Sequence, residues 1–597
     1  MADSPISDKS IYVSLMVKVE GVQIDDIYQL KEVEIYKAVN RIPKAHFLIY
    51  DGSVSQSDFE ISNTETFIPG KEVEILAGYE ANTNVLFKGI ITKHELQLKA
   101  GKSFLVIECR DKAAKMTTSR KNAFYSDKKD SEVIETLIGN AGLEKEVDAT
   151  TETLAELAQY DVSDWDFMLI RSEINGLLVT ASDGKVSVKK PDFSASAQLK
   201  LTYGIDLIDF NAVMSAEHQV KAVGGYAWDY SKQNVLQKKS STPKNPGQGN
   251  VSFNNLSEAI GPDEYRLQTS GSLSEGQIQS WVDSKHERSA LAAFKCRFKF
   301  QGSEKATVGS MIEIAGMGDR FNGNTFISSV RHVIKGGDWL TEVETGMDSD
   351  WFSEEVMNIE SPPAAGLNTS VQGFHYGIVK KIDSDPENQF RVLVTLPLME
   401  NSEVGKWARL ANFYSSKGFG AFFMPEIGDE VIVGFVNDNP DFPVILGSLY
   451  SSGRTPLGTY TPDEKNTYKA IVTKSQLKIE FEDEKKIITI ITPNENKICF
   501  DDDEGTITIE DENENSAVFS KDGIAFKSPK DITLNADGNI EINATGNLTM
   551  SASQNVDISG LEISSSAQTS YSASGDASAE FSSSGTCTVK GAMVMIN

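Results

Sequence analysis

An eight-residue repeat covers the C-terminal stretch, about residues 516–597, and constrains the fold more than any other feature. Side chains two residues apart on a strand share one face, so paired apolar residues give most units one apolar face. The first run consists of the pairs Ile524/Phe526, Ile532/Leu534, Ile540/Ile542, Leu548/Met550 and Val556/Ile558. The register then slips by one residue and resumes at Ile563, Tyr571, Ala579, Cys587 and Met595, with the weaker partners Ser565, Ala573, Phe581 and Val589.

The repeat predicts stacking, because no single unit can bury its apolar face alone. Self-similarity at a fixed period is typical of a solenoid or β-helix, in which each short strand is followed by a polar turn. A disordered linker is the alternative interpretation, since ten serines lie between Ser564 and Ser584. A linker, however, has no reason to keep an apolar period over so many units. A single-chain coil and a shaft of intertwined chains both fit the repeat.

Length and charge restrict the class of protein. A chain of 597 residues with 40% hydrophobic residues is expected to form several domains. The net charge of -29 argues against nucleic acid as a partner, because the phosphate backbone would be repelled. No run approaches 18 consecutive apolar residues, and the first eight residues lack the basic region and apolar core of a signal peptide. We expect synthesis in the cytoplasm and exit by another route.

The cysteines and histidines give no sign of a disulfide or metal framework. Cysteines at 109, 296, 499 and 587 have no paired spacing and indicate buried reduced thiols. The six histidines form no metal-ligand pattern, so we expect neither a metal nor a cofactor. Gly-x-Ser-x-Gly and P-loop motifs are also missing from the sequence, and no catalytic constellation is evident. The sequence therefore predicts a protein that is not an enzyme.

The N-terminal third is predicted to consist of closely spaced strands. Residues 11–19 carry an aliphatic side chain at every second position, as a half-buried strand does: Ile11, Val13, Leu15, Val17 and Val19. Turn signals such as Asp51-Gly52 and Pro69-Gly70 separate the strands that follow. These strands are predicted around 33–35, 46–50, 73–75, 86–91 and 104–107. Such spacing favours a barrel or a sandwich.

Three helices and a hairpin are predicted in the next part of the chain. One helix spans 130–138, and a second begins at Ser163, an N-cap with Asp166 three residues on, and ends at Gly176. The third spans 274–294. Asp183-Gly184 predicts a hairpin between strands 177–180 and 185–188. The polar stretch 226–257 predicts a long loop.

A boundary is predicted at Ser361-Pro-Pro-Ala-Ala-Gly366. Short, closely spaced strands beyond it favour a small Greek-key barrel of the OB type. From Lys469 onward, apolar residues recur among acidic and other polar residues and predict strands that lead into the eight-residue repeat.

The barrel region carries a long motif that resembles the barrel signature of VgrG spike proteins of type VI secretion systems, shared with related phage tail spikes. The motif runs Gly-Phe-Gly-Ala-Phe-Phe-Met-Pro-Glu-Ile-Gly-Asp-Glu-Val-Ile-Val-Gly-Phe over 418–435 and continues as Asn-Pro-Asp-Phe-Pro-Val-Ile-Leu-Gly over 439–447. Its marker positions are Gly418, Pro425, Gly428, Asp429, Glu430, Val431, Gly434, Phe435, Pro443 and Gly447.

The N-terminal half is similar to phage tail-hub proteins of the same family. The similarity lies in Phe67-Ile-Pro-Gly70 followed by 86–91, in 160–167, and in Phe321-Asn-Gly323 followed by 330–332 and 339–341. The resemblance implies a mainly β chain in three parts. These are a hub-like region over 1–365 with two barrel-like domains and inserted helices, an OB-fold barrel over 370–456, and a trimeric, triple-stranded β-helical shaft (β-prism) over 465–597.

The resemblance also implies a function and a set of partners. Family members are homotrimeric hub-spikes that cap the inner tube of a contractile injection machine and puncture a target envelope. The implied partners are an inner-tube (Hcp-like) protein, a PAAR-like tip protein, baseplate proteins and effectors, with the target membrane contacted only on firing. Assembly on a contractile tail particle, followed by export on firing, is the implied location. An extracellular particle or a tailocin uses the same parts and is not separated from type VI secretion.

Three departures from some relatives are visible in the sequence. No lysozyme insertion separates the barrel from the predicted shaft, no His-x-His pair stands near residue 597, and a toxin extension is not expected. The apolar end suits docking of a tip partner, although it can equally complete the last repeat. It comprises Met593, Val594, Met595, Ile596 and Asn597.

Two carboxylate clusters in the sequence resemble functional sites, but each has a plainer interpretation. Residues 501–504 suit calcium but are expected to form a solvated turn. Glu426, Asp429 and Glu430 are expected to shape a turn and not to hydrolyse a glycoside.

The alternative function is a β-helical tailspike enzyme or adhesin acting on surface polysaccharide. From Ile524 onward the only aromatics, Phe526, Tyr571 and Phe581, occupy repeat positions, which weighs against it.

Overall fold

The computed structural model describes residues 3–6, 12–25, 27–80, 82–244, 247–357, 359–400 and 404–596. The chain divides into two compact units, Met1–Leu449 and Tyr450–Asn597. The predicted divisions at 365–370 and 456–465 stay predictions. Strand outweighs helix in both units, which confirms the mainly β fold class.

The α-helices all lie in the first unit, among the described residues, and none of them is long and apolar enough to cross a membrane. Ser163 accepts a hydrogen bond from the backbone N–H of Asp166, and Ser274 caps its helix together with Gln277. The three helices expected from the sequence are confirmed, with ends shifted by a few residues. The helices are α1 (Asp130–Asn140), α2 (Asp164–Glu173), α3 (Phe253–Ile260), α4 (Glu275–Leu291) and α5 (Phe352–Glu355).

The strands of the first unit follow in chain order. They are β1 (Val13–Val19), β2 (Val22–Gln23), β3 (Leu30–Ala38), β4 (Lys44–Tyr50), β5 (Glu72–Tyr79), β6 (Asn82–Lys99), β7 (Lys102–Arg110), β8 (Arg120–Lys129), β9 (Glu144–Val147), β10 (Thr153–Ser163), β11 (Leu178–Ser182), β12 (Lys185–Lys189), β13 (Leu199–Thr202), β14 (Leu207–Met214), β15 (Val223–Asp229), β16 (Asn234–Lys239), β17 (Tyr265–Thr269), β18 (Phe294–Gln301), β19 (Met311–Ala315), β20 (Gly323–Lys335), β21 (Asp338–Thr345), β22 (His375–Lys381), β23 (Val392–Thr395), β24 (Lys406–Leu410), β25 (Ser415–Ser416), β26 (Phe419–Gly420), β27 (Glu430–Phe435) and β28 (Pro443–Ser448).

One large sheet organises the N-terminal region. Among the described residues it has thirteen strands, in the order β14-β18-β21-β20-β3-β4-β7-β6-β5-β1-β2, with β19 attached to β20 and β13 attached to β19. The antiparallel pair β20–β3 joins its two halves, placing Ser329 opposite Ala38. Two separate apolar cores lie along the sheet, one around Phe47 and Phe87 and one around Phe298 and Phe300. A division into two barrel-like domains stays a prediction.

The long loop predicted over 226–257 is wrong in part. Strands β15 and β16 form a hairpin there, β17 pairs with β15 in parallel, and α3 begins at Phe253. A Cβ on Gly225 would lie 2.6 Å from Val282 Cγ1, so this strand passes close beneath α4. Packing against α4 therefore stabilises a strand whose own residues give little periodic signal.

The barrel of the first unit closes in the order β22-β23-β24-β28-β27. Strands β24 and β28 run parallel, with Arg409 opposite Val444, and the other contacts are antiparallel. Its core is small and aliphatic, consisting of Val379, Val392, Val394, Ala408, Val431, Val433 and Ile445. This closure confirms the OB-type barrel expected from the sequence.

His332 on β20 is buried in the large sheet. Its Nδ1 lies 3.0 Å from Thr341 Oγ1 and 3.4 Å from Trp339 Nε1. Burial lowers the pKa of His332 to about 3, so the ring is neutral in the folded protein at neutral pH.

We predict that His332 makes the large sheet sensitive to acid. Below pH 6.5 the unfolded chain protonates this histidine and the folded chain does not, so folding stability falls as pH drops from 6.5 toward 3. The slope from this group is about 1.4 kcal/mol per pH unit. Urea denaturation from pH 4 to 6.5 should give a shallower pH dependence for His332→Gln than for the wild type. His375→Gln serves as the control, and equal slopes for wild type and His332→Gln would contradict the prediction.

Candidate functional site

The second unit begins with a seven-stranded antiparallel sheet in which each strand pairs with the next one along the chain. Alternate strands start 19 residues apart, as Lys478, Lys497 and Ser516 do, a repeat that the sequence analysis missed. The strands are β29 (Tyr468–Val472), β30 (Lys478–Glu482), β31 (Ile487–Ile491), β32 (Lys497–Asp501), β33 (Thr506–Glu510), β34 (Ser516–Ser520) and β35 (Gly523–Lys527). We call this the hairpin sheet.

The turns of the hairpin sheet repeat with the same spacing. Gln476, Glu495 and Glu514 have φ angles of 65°, 66° and 62°, in the left-handed region that closes a tight turn. In the third turn, the Asn515 amide and backbone N–H groups nearby hydrogen-bond to Asp511 and hold its pKa below the ordinary value. These local bonds fix the register of the strands, because turn geometry sets pairing in a hairpin.

One face of the hairpin sheet is apolar. Its residues pair directly across neighbouring strands: Ile479 faces Ile490, Ile490 faces Ile498, and Ile498 faces Ile509. Phenylalanines at 481, 500 and 519 continue the face, again 19 residues apart. Such cross-strand apolar pairs stabilise a sheet when the face is covered. We call these residues the apolar face of the hairpin sheet.

Nothing in the described part of the chain covers the apolar face. Ile490 is 43% exposed and Ile509 is 47% exposed, although both lie within paired strands. An open concavity of about 680 Å³ lies beside them and reaches Phe526 and Ile532. A soluble protein rarely exposes an apolar surface this continuous unless another molecule packs on it.

The eight-residue repeat continues from the hairpin sheet as an extended tail. Backbone bends recur at 529–530, 537–538, 545–546 and 553–554, and again at 568–569, 576–577 and 584–585. The step from 553 to 568 is 15 residues, one fewer than two repeats, so the bends follow the register slip of the sequence. Short strands were expected here, but none is formed between 528 and 596, because these residues have no ladder partner within the chain.

The apolar repeat residues of the tail are exposed. Their exposed fractions in the first run lie between 56% and 72% from Ile532 to Ile558, far above those of core residues. Backbone-to-backbone hydrogen bonds within the chain are also lacking over 528–596. Both the apolar side chains and the backbone polar groups of the tail therefore need partners from outside the chain.

The opposite face of the hairpin sheet is polar and ion-paired. Lys497 lies 3.4 Å from the Glu510 carboxylate on the neighbouring strand. Tyr460 donates a hydrogen bond of 2.5 Å to Glu480, and burial together with this carboxylate raises the pKa of Tyr460 to about 12. This face is suited to contact with water.

The barrel motif residues occupy structural positions. Gly428 has a φ of 90°, and its N–H donates to Val379 O, which fixes the turn before β27. Asp429 Oδ2 accepts a hydrogen bond of 2.9 Å from the Glu426 backbone N–H. Val431 is buried in the barrel core. The motif thus specifies the entry into β27 and the β27–β28 pairing.

The remaining sequence-predicted positions lie on the surface of the second unit. The Glu504 backbone N–H donates to Asp501 Oδ1, and Asp502 to Glu504 are exposed at the turn. Met593, Met595 and Ile596 are 80%, 84% and 91% exposed, whereas Asn597 lies outside the described residues. Of the cysteines, Cys109 and Cys296 are buried, but Cys587 is exposed in the single chain, contrary to expectation.

The large sheet of the first unit also assembles a cluster that the sequence analysis missed. Glu32 and Glu34 on β3 and His46 on β4 place their ligand atoms within 4.8 Å of one another. Glu34 lies directly opposite His46 in the strand pairing. Only the register of two strands brings these residues together, so residue spacing alone carries no signal for them.

Two segments of the chain match known protein families. Residues 9–336 match the family described as "Alg8 N-terminal domain", and residues 375–450 match the "Type VI secretion system/phage-baseplate injector OB domain". The closed barrel of this mainly β chain thus carries the OB domain of phage-baseplate and type VI secretion injectors. The chain belongs to the Alg8 N-terminal domain family, whose match covers more than half of it, and its barrel segment is similar to VgrG spike proteins.

Individual relatives match over short segments. The actin cross-linking toxin VgrG1 of Vibrio cholerae is 33% identical over 89 residues, which are 14% of this chain and 8% of that protein. The type VI secretion system spike protein VgrG1a of Pseudomonas aeruginosa is 39% identical over 56 residues, 9% of this chain and 8% of that protein. The matched segments thus span less than a tenth of these relatives.

Solved structures of similar chains cover more of the protein. The prophage MuSo2 43 kDa tail protein of Shewanella oneidensis aligns with 56% of this chain and 99% of its own, at 9% identity and a TM-score of 0.44. A component of the Escherichia coli type VI secretion system, described as similar to the T4 tail proteins gp27 and gp5, aligns with 72% and 99%, at 14% identity and a TM-score of 0.37.

Proposed function

We propose that this protein is the homotrimeric hub-spike of a contractile injection machine, in which the second unit forms an intertwined shaft. The observation that carries the proposal is the continuous apolar face, from the hairpin sheet through the repeat tail, that none of the described residues covers. Copies of the same chain are the natural cover, because each copy presents the same repeat at the same height.

The energetics favour association. Burying one large apolar side chain stabilises by about 1.5–3 kcal/mol, and each chain offers a long series of them. Backbone polar groups of the tail would gain hydrogen bonds from neighbouring chains at the same time. The entropy of ordering the tail offsets part of this gain, so the tail is expected to order only as the chains assemble.

The number of chains comes from the resemblance to VgrG-type spikes and not from the repeat. Three copies would close a triangular prism with the apolar faces inward and the polar faces, such as that of Lys497 and Glu510, outward. Strand edges would then pair between chains, which removes the open edges that promote aggregation.

In this role the protein acts mechanically and not as an enzyme. The first unit would cap an inner-tube (Hcp-like) protein and contact baseplate proteins, and the shaft would enter the target envelope when a sheath contracts. Effectors would travel with the particle, and the protein would leave the cell with it on firing. The stiffness of a shared apolar core suits this task, since the sheath supplies the work.

The apolar end of the tail is proposed as the platform for a PAAR-like tip protein. Met593, Met595 and Ile596 are the most exposed large side chains near this end. In a trimer, the three chain ends would together form one apolar surface at the tip, facing away from the shaft.

The native mass of the purified chain is the first test. A trimer has three times 65.3 kDa, about 196 kDa, and native mass spectrometry or light scattering should give that single species. A stable monomer would overturn the proposal. It would favour the alternative function of a tailspike enzyme or adhesin, because the repeat would then have to close within one chain.

We predict that a charge on the apolar face prevents assembly. Ile509→Asp places a carboxylate in the shared core, where an unpaired charge is strongly unfavourable, and should shift the protein from trimer to monomer in light scattering. Thr508→Asp is the matched control, because the neighbouring residue lies on the polar face of the same strand. Loss of trimer in both variants would point to a general folding defect, and loss in neither would contradict the shared core.

We predict that the tip can be separated from the shaft. Met595→Ser combined with Ile596→Ser should leave the native mass unchanged but weaken binding of a purified PAAR-repeat protein at least about tenfold, as expected for removal of central apolar contacts. Ser582→Ala and Ser583→Ala together provide a control away from the end. Unchanged affinity in the tip variant would refute this platform.

A further inference from the structure

The cluster of Glu32, Glu34 and His46 lies on the open face of the large sheet. Val33 and Ile35 alternate with the two glutamates and point into the apolar core, which fixes the glutamates on the opposite side. His46 lies directly across the strand pair from Glu34, with Nε2 at 3.8 Å from Glu34 Oε2. Two residues at i and i+2 plus a cross-strand partner converge on one point above the sheet.

Two cations neutralise the carboxylates of this cluster. Arg331 Nε and Nη2 donate to the two Glu34 oxygens at 2.7 and 2.8 Å, and Lys335 Nζ lies 2.9 Å from Glu32 Oε2. The His46 ring, by contrast, makes no hydrogen bond to any described residue and only approaches the Glu34 carboxylate, at 3.8 Å. An imidazole that faces two carboxylates without a hydrogen bond to either leaves room for an ion between them.

We propose that Glu32, Glu34 and His46 bind one divalent first-row transition-metal ion per chain, of the zinc class. One imidazole and two carboxylates form a borderline ligand set that such ions accept, and the fourth position stays open to solvent or to a neighbouring protein. The ligand atoms already lie within 4.8 Å of one another, so strand geometry holds the set together without rearrangement of the backbone.

The cations of the cluster can make room for the ion. Arg331 Nη1 lies 3.5 Å from Glu342 Oε2, so this side chain has a second carboxylate to turn to when the ion takes Glu34. The Lys335 side chain is 58% exposed and can move into water. Because Arg331 competes with the ion for Glu34, its removal should strengthen metal binding. A purely structural ion-pair network would not respond in that way.

Zinc titration of the metal-stripped full-length protein tests the proposal. Calorimetry with zinc chloride should give one ion per chain, and His46→Ala or Glu32→Gln should weaken binding by at least about tenfold, in line with the cost of disturbing a metal's ligand shell. His94→Ala is the matched control, a histidine of the same sheet bonded to Ser62 and Phe67. Circular dichroism would verify that each variant is folded.

The Arg331→Gln variant gives the decisive comparison. Tighter zinc binding than in the wild type would support the three-residue site and the competition at Glu34. The proposal is overturned if the wild type takes up no zinc, or if His46→Ala and His94→Ala bind it equally. These outcomes are independent of the trimer, because the site lies within one chain.

Discussion

The structure of the second unit depends on one constraint: a sheet with an apolar face is stable in water only when that face is covered. In the hairpin sheet, the side chains of Ile490 and Ile509 are nearly half exposed although their strands are well paired. The backbone of this sheet is satisfied within the chain, but its side chains are not. In the repeat tail neither is satisfied, so the requirement for partner chains increases toward the end of the chain.

This gradient suggests how a shaft can be both specific and stiff. The turns at Gln476, Glu495 and Glu514 set the strand register locally, before any other chain is present. In the proposed trimer, three preformed sheets would meet with their repeats already aligned, and the tails would extend the same alignment. A shared dry core then resists bending, because every side chain that separates from it exposes apolar area.

The first unit buries its apolar side chains within the chain. Its thirteen-stranded sheet is covered on one side by two apolar cores, and its other face carries charged pairs such as Glu34 with Arg331. A self-neutralised polar face interacts weakly with most surfaces, in contrast to the apolar face of the hairpin sheet. The cluster of Glu32, Glu34 and His46 differs from the other charged pairs of this face because it includes an imidazole. That imidazole faces two carboxylates that are already paired with cations.

How much of this could be read from the sequence depends on how far apart the interacting residues lie. The sequence by itself determined the mainly β composition, the cap at Ser163, the Asp183-Gly184 hairpin and the period of the tail, because each depends on neighbours within a few residues. Tertiary structure alone decided the β3–β20 pairing, the strands β15 and β16 beneath α4, and the meeting of Glu32 and Glu34 with His46. These contacts join residues that share no local signal, and packing and strand register select them only once the sheet has formed.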